Sequence, residues 1–259
     1  MDATKELVRS QFGRSAAAYA TSDVHAHGEG PGLLVAMLQP EAGWHALDVA
    51  TGAGHTALAM AAHVADVLAT DLTPEMLEQT RRLAAERGLA NVTTSIGDAE
   101  SLPFEDGRFD LVTCRLAFHH FPHPEQAMRE FARVLKPGGL LGFSDNIAVE
   151  DPAGAAAYNA YEKLRDPSHH EVPPLSRLIT MLETAGMHVE ATRSFSKEME
   201  FTVWADRMHV SAPDKQRLLD MLRTLPASAR PLLQPRTADG VTYFSLWECV
   251  IVARRHAAA

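Results

Sequence analysis

The sequence predicts an α/β protein: a doubly wound, mostly parallel sheet of seven strands, the last antiparallel, with helical lid insertions. Three observations predict it. From Trp44 to Asp145 short apolar runs recur roughly 20–30 residues apart with helical stretches between them, the rhythm of right-handed βαβ units. Gly- and Asp-bearing turns punctuate that rhythm. With 259 residues, 46% of them hydrophobic and 22% charged, the chain suits one globular core domain with a small appendage.

The elements follow in order. Leu7, Val8 and Phe12 share one face of a short helix, continued by the small-residue stretch Gly13 to Tyr19. A polar joint from His25 to Gly32 leads into an apolar helix ending near Leu38, and Gln39 to Gly43 closes it. Ala46 to Ala50 is the first strand, Thr51 to Gly54 a tight turn, and His55 to His63 an Ala-rich helix. Val64 to Thr70 is the second strand, ended by Asp71. The next helix has Thr73 as N-cap, Pro74 at its first position and Gly88 as its C-terminal cap. Val92 to Ile96 and Phe109 to Thr113 are strands three and four. Pro124 to Leu135 is helical, stopped by Pro137-Gly138-Gly139, and Leu140 to Ser144 is strand five. Beyond Asp145 the rhythm changes. Helices over Ala153–Arg165 and Leu175–Ala185 flank the break at residues 166–170. Val189 to Phe201 alternates as a sixth strand, Pro-punctuated helical pieces fill residues 203–235, and Val241 to Val252 is the last strand. The expected organisation is an N-terminal entry segment over residues 1–40 and a main domain over 41–259, with substrate-cover insertions near 146–186 and 203–235.

Charge and cysteine usage narrow the function. The net charge is −9, from 33 acidic and 24 basic residues, the wrong sign for a protein that holds phosphate backbones. Cys114 and Cys249 lie too far apart for a CxxC knuckle and are too few for a disulfide framework, so a reducing compartment is expected. The opening residues carry no apolar h-region, and no run reaches about 18 apolar residues. A cytoplasmic protein without stable membrane insertion is the expectation.

Open α/β sheets take ligands outside the carboxyl ends of their strands, and Asp48, Asp71 and Asp98 stand at or near three such ends. Gly52-Ala53-Gly54 lets backbone approach a ligand closely. Gly52-x-Gly54-x-x-Ala57 also suits an NAD(P)-dependent oxidoreductase. A pyrophosphate at this turn would, however, meet the charge of Asp48. Ribose hydroxyls, an adenine, an amino cation and no phosphate suit three acids better, and S-adenosyl-L-methionine (SAM) has those features. Solvated turn residues are the plainer alternative for each acid taken alone.

The stretches Asp48 to Thr56, Asp71 to Leu77, Gly97 to Phe104, Phe109 to Val112, Phe118 to Phe121 and Arg133 to Gly139 together resemble the class I SAM-dependent methyltransferases, in particular the group like the ubiquinone/menaquinone-biosynthesis methyltransferases. The resemblance covers residues 45–145 in the family's order and is only general beyond residue 150. It implies a Rossmann-like sheet and the following contacts. Gly52 and Gly54 border the methionine part of SAM, and Asp48 faces its ammonium directly or through water. Asp71 takes the ribose hydroxyls, and Leu72 or Met76 flanks the adenine, although Met76 serves equally as a core methionine. Asp98 accepts from the adenine amino group, and the Ala99 amide faces a ring nitrogen. Arg115 lines the sulfonium side, and Phe12 and Tyr19 close the pocket from above.

Methyl transfer to a hydroxyl or an acidic carbon gains from a general base, and histidine suits that role near neutral pH. His119 and His120 follow strand four and are the candidate catalytic residues, the alternative being one packed and one solvated histidine. His25/His27 and His169/His170 are further candidates for substrate contact, or else plain loop residues. Tyr158, Tyr161, Leu164, Met181 and Leu182 either wall an apolar substrate or pack a core. No metal site is expected, since no metal-ligand spacing is evident. Nucleic-acid amino-methylating enzymes resemble one another in an Asp/Asn-Pro-Pro-aromatic segment after strand four, whereas this chain reads Cys114-Arg115-Leu116-Ala117-Phe118. A small-molecule acceptor, no nucleic acid, and a monomer or homodimer are expected. A non-catalytic SAM-binding partner protein is the other alternative.

Overall fold

The structure, a computed structural model, describes residues 3–20 and 29–257. Helix α1 (Ala3–Ala20) runs unbroken through Gly13, and α2 (Glu29–Leu38) precedes the first strand. The strands are β1 (His45–Val49), β2 (Asp66–Asp71), β3 (Val92–Ile96), β4 (Phe109–Arg115), β5 (Leu135–Asn146), β6 (Met187–Glu200), β7 (Arg236–Ala238) and β8 (Val241–Arg255). Between them lie α3 (His55–Met60), α4 (Pro74–Glu86), α5 (Pro124–Val134), α6 (Pro152–Arg165), α7 (Leu175–Thr184), α8 (Phe201–Asp206), α9 (Ala212–Arg223) and α10 (Arg230–Leu233).

The strands lie in the order β3-β2-β1-β4-β5-β8-β6, a seven-stranded path to which β7 adds by pairing antiparallel with β8. The pairs β1/β2, β1/β4, β2/β3 and β4/β5 are parallel. The expected α/β class holds, with one short hairpin strand more than the sequence suggested. The chain winds outward from β1 to β3 and then returns to β4 on the other side of β1. The order therefore reverses between β1 and β4, and the carboxyl ends of those two strands are where open α/β sheets take their ligands.

Helices on both faces explain why the inner strands are continuously apolar: Leu47, Leu111, Val112 and Leu141 have no exposed surface. Helix α5 buries Met128 and Phe131 completely, each contributing about 2 kcal/mol. Gly142 lets α2 lie directly on β5, because a Cβ there would stand 2.5 Å from Leu38 Cδ1.

The largest departure from the sequence reading is at β5. The sequence suggested a helix stopped by Pro137-Gly138-Gly139 and a strand from Leu140. Instead the backbone turns extended at Leu135 (φ −68°, ψ 141°), and the strand begins there. Phe109 pairs with Leu135 and Leu111 with Leu140. The Pro-Gly-Gly segment is thus an irregularity within the strand, eased by a left-handed Gly138 (φ 80°).

The chain divides into two compact units. The first comprises Met1–Asp145, Ile179–Arg193 and Val250–Ala259, and the second Asn146–Leu178 and Ser194–Cys249. In the second unit α6 is capped by Asp151, whose Oδ1 accepts from Gly154 N (2.8 Å) and Ser228 Oγ (2.6 Å). That unit's core gathers Tyr158, Tyr161, Trp204, Leu218, Leu222 and Phe244. No described helix is long and apolar enough to cross a membrane.

Candidate active site

The site lies within the first unit, at the carboxyl ends of β1 to β5. Asp48 sits opposite Ala69 of β2 and Thr113 of β4. It is 1% exposed. Its Oδ1 accepts from Thr113 Oγ1 and its Oδ2 from Thr51 Oγ1, both at 2.6 Å. Burial pushes its carboxyl up to about 6, although the two hydroxyls and the Arg115 charge pull the other way.

Ala50, Gly52 and Gly54 all take left-handed backbone (φ 52°, 56° and 88°). A Cβ on Gly54 would stand 2.6 Å from Thr80 Cγ2. Thr80, from α4, also donates its hydroxyl to Gly52 O at 2.9 Å. The turn is therefore clamped against α4. Asp71 completes the clamp: Oδ2 accepts from Gly52 N and Oδ1 from Thr73 N, each at 2.8 Å. Burial raises the Asp71 carboxyl and these amides partly offset the rise. Thr73 precedes α4 as expected but makes no side-chain cap bond. Of the adenine candidates, Leu72 is half-buried and Met76 is buried in α4.

Asp98 has company that the sequence did not suggest. Lys5 of α1 places Nζ 2.7 Å from Asp98 Oδ2 and 2.5 Å from Glu100 Oε2. Asp98 Oδ1 accepts from Glu100 N (3.0 Å), and Glu100 Oε1 accepts from His123 N (2.7 Å). Ala99, between the two acids, is buried.

Beyond β4, Arg115 donates Nε to Thr56 Oγ1 at 3.0 Å. Leu116 takes left-handed backbone (φ 52°), an uncommon state for a γ-branched residue, and turns the chain into the 3₁₀ turn Phe118–His120. His119 Nδ1 lies 2.6 Å from Asp145 Oδ1, and His119 N donates to Asp145 Oδ2 at 3.3 Å. The His120 ring centroid is 4.2 Å from that of His119 and 4.9 Å from that of Phe12, with which it makes a T-shaped contact. The buried Cys114 thiol is pushed well up, first by burial and then by the charges of Asp145, Asp48 and Asp71.

The structure thus brings together Phe12, His119 and His120, couples Gly52 to Asp71, and sets Asp48 within the field of Arg115. The side chain of Tyr19, His25 and His27 lie outside the described residues. His169 is a buried member of the second unit, its Nε2 2.9 Å from Asn159 Oδ1, rather than a solvated loop residue. The suggested apolar wall divides: Tyr158 and Tyr161 belong to the second unit, Met181 and Leu182 to the first. Sequence reasoning missed Lys5, Thr80, Glu100, Thr113 and Asp145. Asp145 carried a signal, an acid at a strand's carboxyl end like the three that were singled out. Among the described residues no group of three or more His, Cys, Asp or Glu is placed to hold a metal ion.

Known proteins decide the family. Residues 47–143 match the Methyltransf_11 model, a methyltransferase domain. The uncharacterized methyltransferase YcgJ of Bacillus subtilis (strain 168) is 36% identical over 219 residues, 85% of this chain and 87% of YcgJ. The chain belongs to the class I SAM-dependent methyltransferases. The methyltransferase is also 33% identical over 181 residues to the ubiquinone/menaquinone biosynthesis C-methyltransferase UbiE of Brucella anthropi, covering 67% of this chain and 66% of UbiE. Among solved structures, a candidate methyltransferase of Bacillus halodurans C-125 superposes with TM-score 0.85 at 39% identity, over 89% of this chain and all of that one. The cofactor of the present chain is SAM. The residues present fit SAM: at Gly52, with left-handed backbone and nothing within 4 Å of where a Cβ would stand, the turn leaves space for a ligand, and the flanking Asp48 and Asp71 favour hydroxyl donors and a cation over a phosphate.

Proposed function

We propose that this methyltransferase methylates an oxygen or a carbon of a small-molecule acceptor. The observation that carries the reading is the row of acids Asp48, Asp71 and Asp145 towards the carboxyl ends of β1, β2 and β5, with His119 held by Asp145 and His120 against it. Bound SAM supplies a methyl group made electrophilic by its sulfonium. The protein's work is to hold the acceptor in line with that methyl, exclude water and receive a proton.

In this reading Asp71 takes the ribose hydroxyls, Asp48 the ammonium, and Gly52 and Gly54 the methionine part. Leu72 or Met76 flanks the adenine. Asp98 and the Ala99 amide read the adenine edge, with Lys5 sharing the Asp98 carboxylate or yielding it. Arg115, tied to Thr56 and balanced by Asp48, lines the sulfonium side. Phe12 and Tyr19 cover the pocket as part of the entry segment 1–40, and residues 146–186 and 203–235 contribute acceptor recognition. His119 or His120 receives the proton. The net charge of −9 and the Cys114–Phe118 segment favour a small molecule over nucleic acid. Two cysteines, neither of them in a disulfide, favour a reducing cytoplasm, with the protein acting as a monomer or homodimer.

The test is calorimetry with SAM, followed by mass spectrometry of products from a panel of phenols, 1,3-dicarbonyl compounds and primary amines. SAM binding with methyl transfer to oxygen or carbon supports the reading. Transfer to amines alone overturns the choice of atom, and SAM binding without turnover across a broad panel returns the non-catalytic partner.

A further inference from the structure

We propose that Lys5 of α1 competes with the cofactor for Asp98: its ammonium holds the carboxylate oxygen that the adenine amino group needs, and Glu100 keeps the ammonium when the adenine takes Asp98. The inference deepens the reading above and rests on its placing the adenine edge at Asp98.

The two carboxylates that share Lys5 are unequal. Nζ reaches Asp98 Oδ2 at 2.7 Å and Glu100 Oε2 at 2.5 Å. The Glu100 side chain is 4% exposed, and its other oxygen accepts from His123 N at 2.7 Å. That carboxylate is a fixed anchor. The Asp98 side chain is 30% exposed, and its Oδ1 accepts from Glu100 N at 3.0 Å. With Oδ1 bonded to that amide, Oδ2 is the oxygen for a ligand's donor, and it is the one that Lys5 holds. Burial alone would lower the Lys5 pKa, but the two carboxylates outweigh it and keep the amine charged.

An adenine amino group is a neutral donor, weaker at a carboxylate than an ammonium. It gains Oδ2 only at the expense of the Lys5 bond, and that exchange subtracts from cofactor affinity. The subtraction is partial, because the ammonium keeps Glu100 as its partner. A base that presents a carbonyl oxygen at the same place has no donor for Asp98 and would accept from Lys5 instead. The competition therefore falls on the amino group alone.

The helix that carries Lys5 has other moorings. Phe12 lies two turns, about 10 Å, further along the same face of α1, and its ring makes a T-shaped contact with that of His120, centroids 4.9 Å apart. At Gly13 the helix backbone rests against the start of α4, where a Cβ would stand 3.4 Å from Glu75 Oε2. These contacts keep α1 seated when Lys5 releases Asp98, so the exchange is one of side chains rather than a displacement of the helix.

Calorimetry can compare S-adenosylhomocysteine with its 6-oxo analogue, S-inosylhomocysteine, on the full-length parent and on Lys5→Met, which keeps an unbranched stem and drops the charge. S-adenosylhomocysteine should bind Lys5→Met about tenfold more tightly, at the low end for a charge-assisted hydrogen bond because Glu100 retains the ammonium in the parent. S-inosylhomocysteine should bind no more tightly than before. A gain under threefold for the adenine ligand, or an equal gain for both ligands, overturns the proposal. Should Lys5→Met not fold, a crystal structure of the parent with S-adenosylhomocysteine decides. Lys5 Nζ within hydrogen-bond reach of Glu100 and beyond reach of Asp98 is the expected result, and Lys5 still bonded to Asp98 overturns it. Failure of the unaltered enzyme to bind either SAM or S-adenosylhomocysteine would instead sink the underlying function, which keeps the two outcomes apart.

Discussion

Two regions bury polar side chains in opposite ways. At the strand ends of the first unit, Asp48 and Asp71 are almost wholly buried, yet each carboxylate oxygen has a named donor: Thr51, Thr113, Gly52 N and Thr73 N. In the aromatic core of the second unit, Tyr161 and Trp204 stack with ring centroids 5.0 Å apart and planes 7° from parallel, and Phe244 meets both edge-on. Tyr161 Oη and Trp204 Nε1 are buried there with no hydrogen-bond partner among the described residues. Satisfied buried groups stiffen a site and fix its geometry, while unsatisfied ones cost about 1–3 kcal/mol each. The first region is organised to hold charge in place, and the second is organised by packing.

The comparison breaks first, and hardest, at Asp71. Asp71→Ala strips the Gly52 and Thr73 amides of their acceptor and removes the carboxylate assigned to the ribose. Calorimetry should find SAM affinity lowered more than about 10²-fold, since charge-assisted hydrogen bonds are each worth about 1.5–3 kcal/mol. A loss under threefold would mean that the carboxylate serves the loop alone.

The clamp beneath the turn comes next. Gly54→Ala places a Cβ 2.6 Å from Thr80 Cγ2 on a backbone at φ 88°, for an expected destabilisation of about 2 kcal/mol in chemical denaturation. Adding Thr80→Ser removes the clashing methyl and keeps the hydroxyl bonded to Gly52 O. The double variant should recover part of the loss, because the backbone strain and the 2.8 Å approach of Thr80 Oγ1 remain. Full recovery would assign the whole cost to the methyl contact.

The buried acid also leaves a mark on stability against pH. Asp48 has its carboxyl raised from 3.8 to about 6 in the fold, so between those values the folded chain binds more protons than the unfolded one. Stability therefore falls as pH rises through that window and levels off above it, by about 3 kcal/mol at 1.36 kcal/mol per unit. Asp71, raised for the same reason, acts with the same sign. In Asp48→Asn, denaturation midpoints measured from pH 4 to 7 should show a visibly shallower decline. An unchanged slope would mean that Asp48 does not titrate in that range.

The contrast also explains what was legible in the sequence. Strand ends, the Gly turn and the acids Asp48 and Asp71 are placed by the sheet's rhythm, and each acid has one local bond, Asp48 to Thr51 three residues on and Asp71 to Thr73 two residues on. Lys5 meets Asp98 across 93 positions, Thr113 meets Asp48 across 65 and His119 meets Asp145 across 26. Such pairs exist only once β4 lies beside β1 and β5, or α1 beside the end of β3, and no short-range pattern announces them. β5 was misread for the converse reason: Pro137-Gly138-Gly139 is a strong local breaker, but pairing with β4 overrides it. The aromatic core draws on residues 158–161, 201–204 and 244–246, and only its tyrosines had been singled out.

The smallest effect is the sharpest test of the contrast itself. Tyr161→Phe removes a hydroxyl that has no partner among the described residues and keeps the ring stacked on Trp204, so stability should stay within about 1 kcal/mol of the parent or rise. Thr113→Val is a change of similar size at the other region, but it deprives a buried oxygen of Asp48 of its donor, at an expected cost of about 1–3 kcal/mol. Thermal unfolding of the two variants at one pH compares them directly. If Tyr161→Phe proved the costlier, the hydroxyl would have a partner in solution, such as a trapped water, and the two regions would be built on the same principle after all.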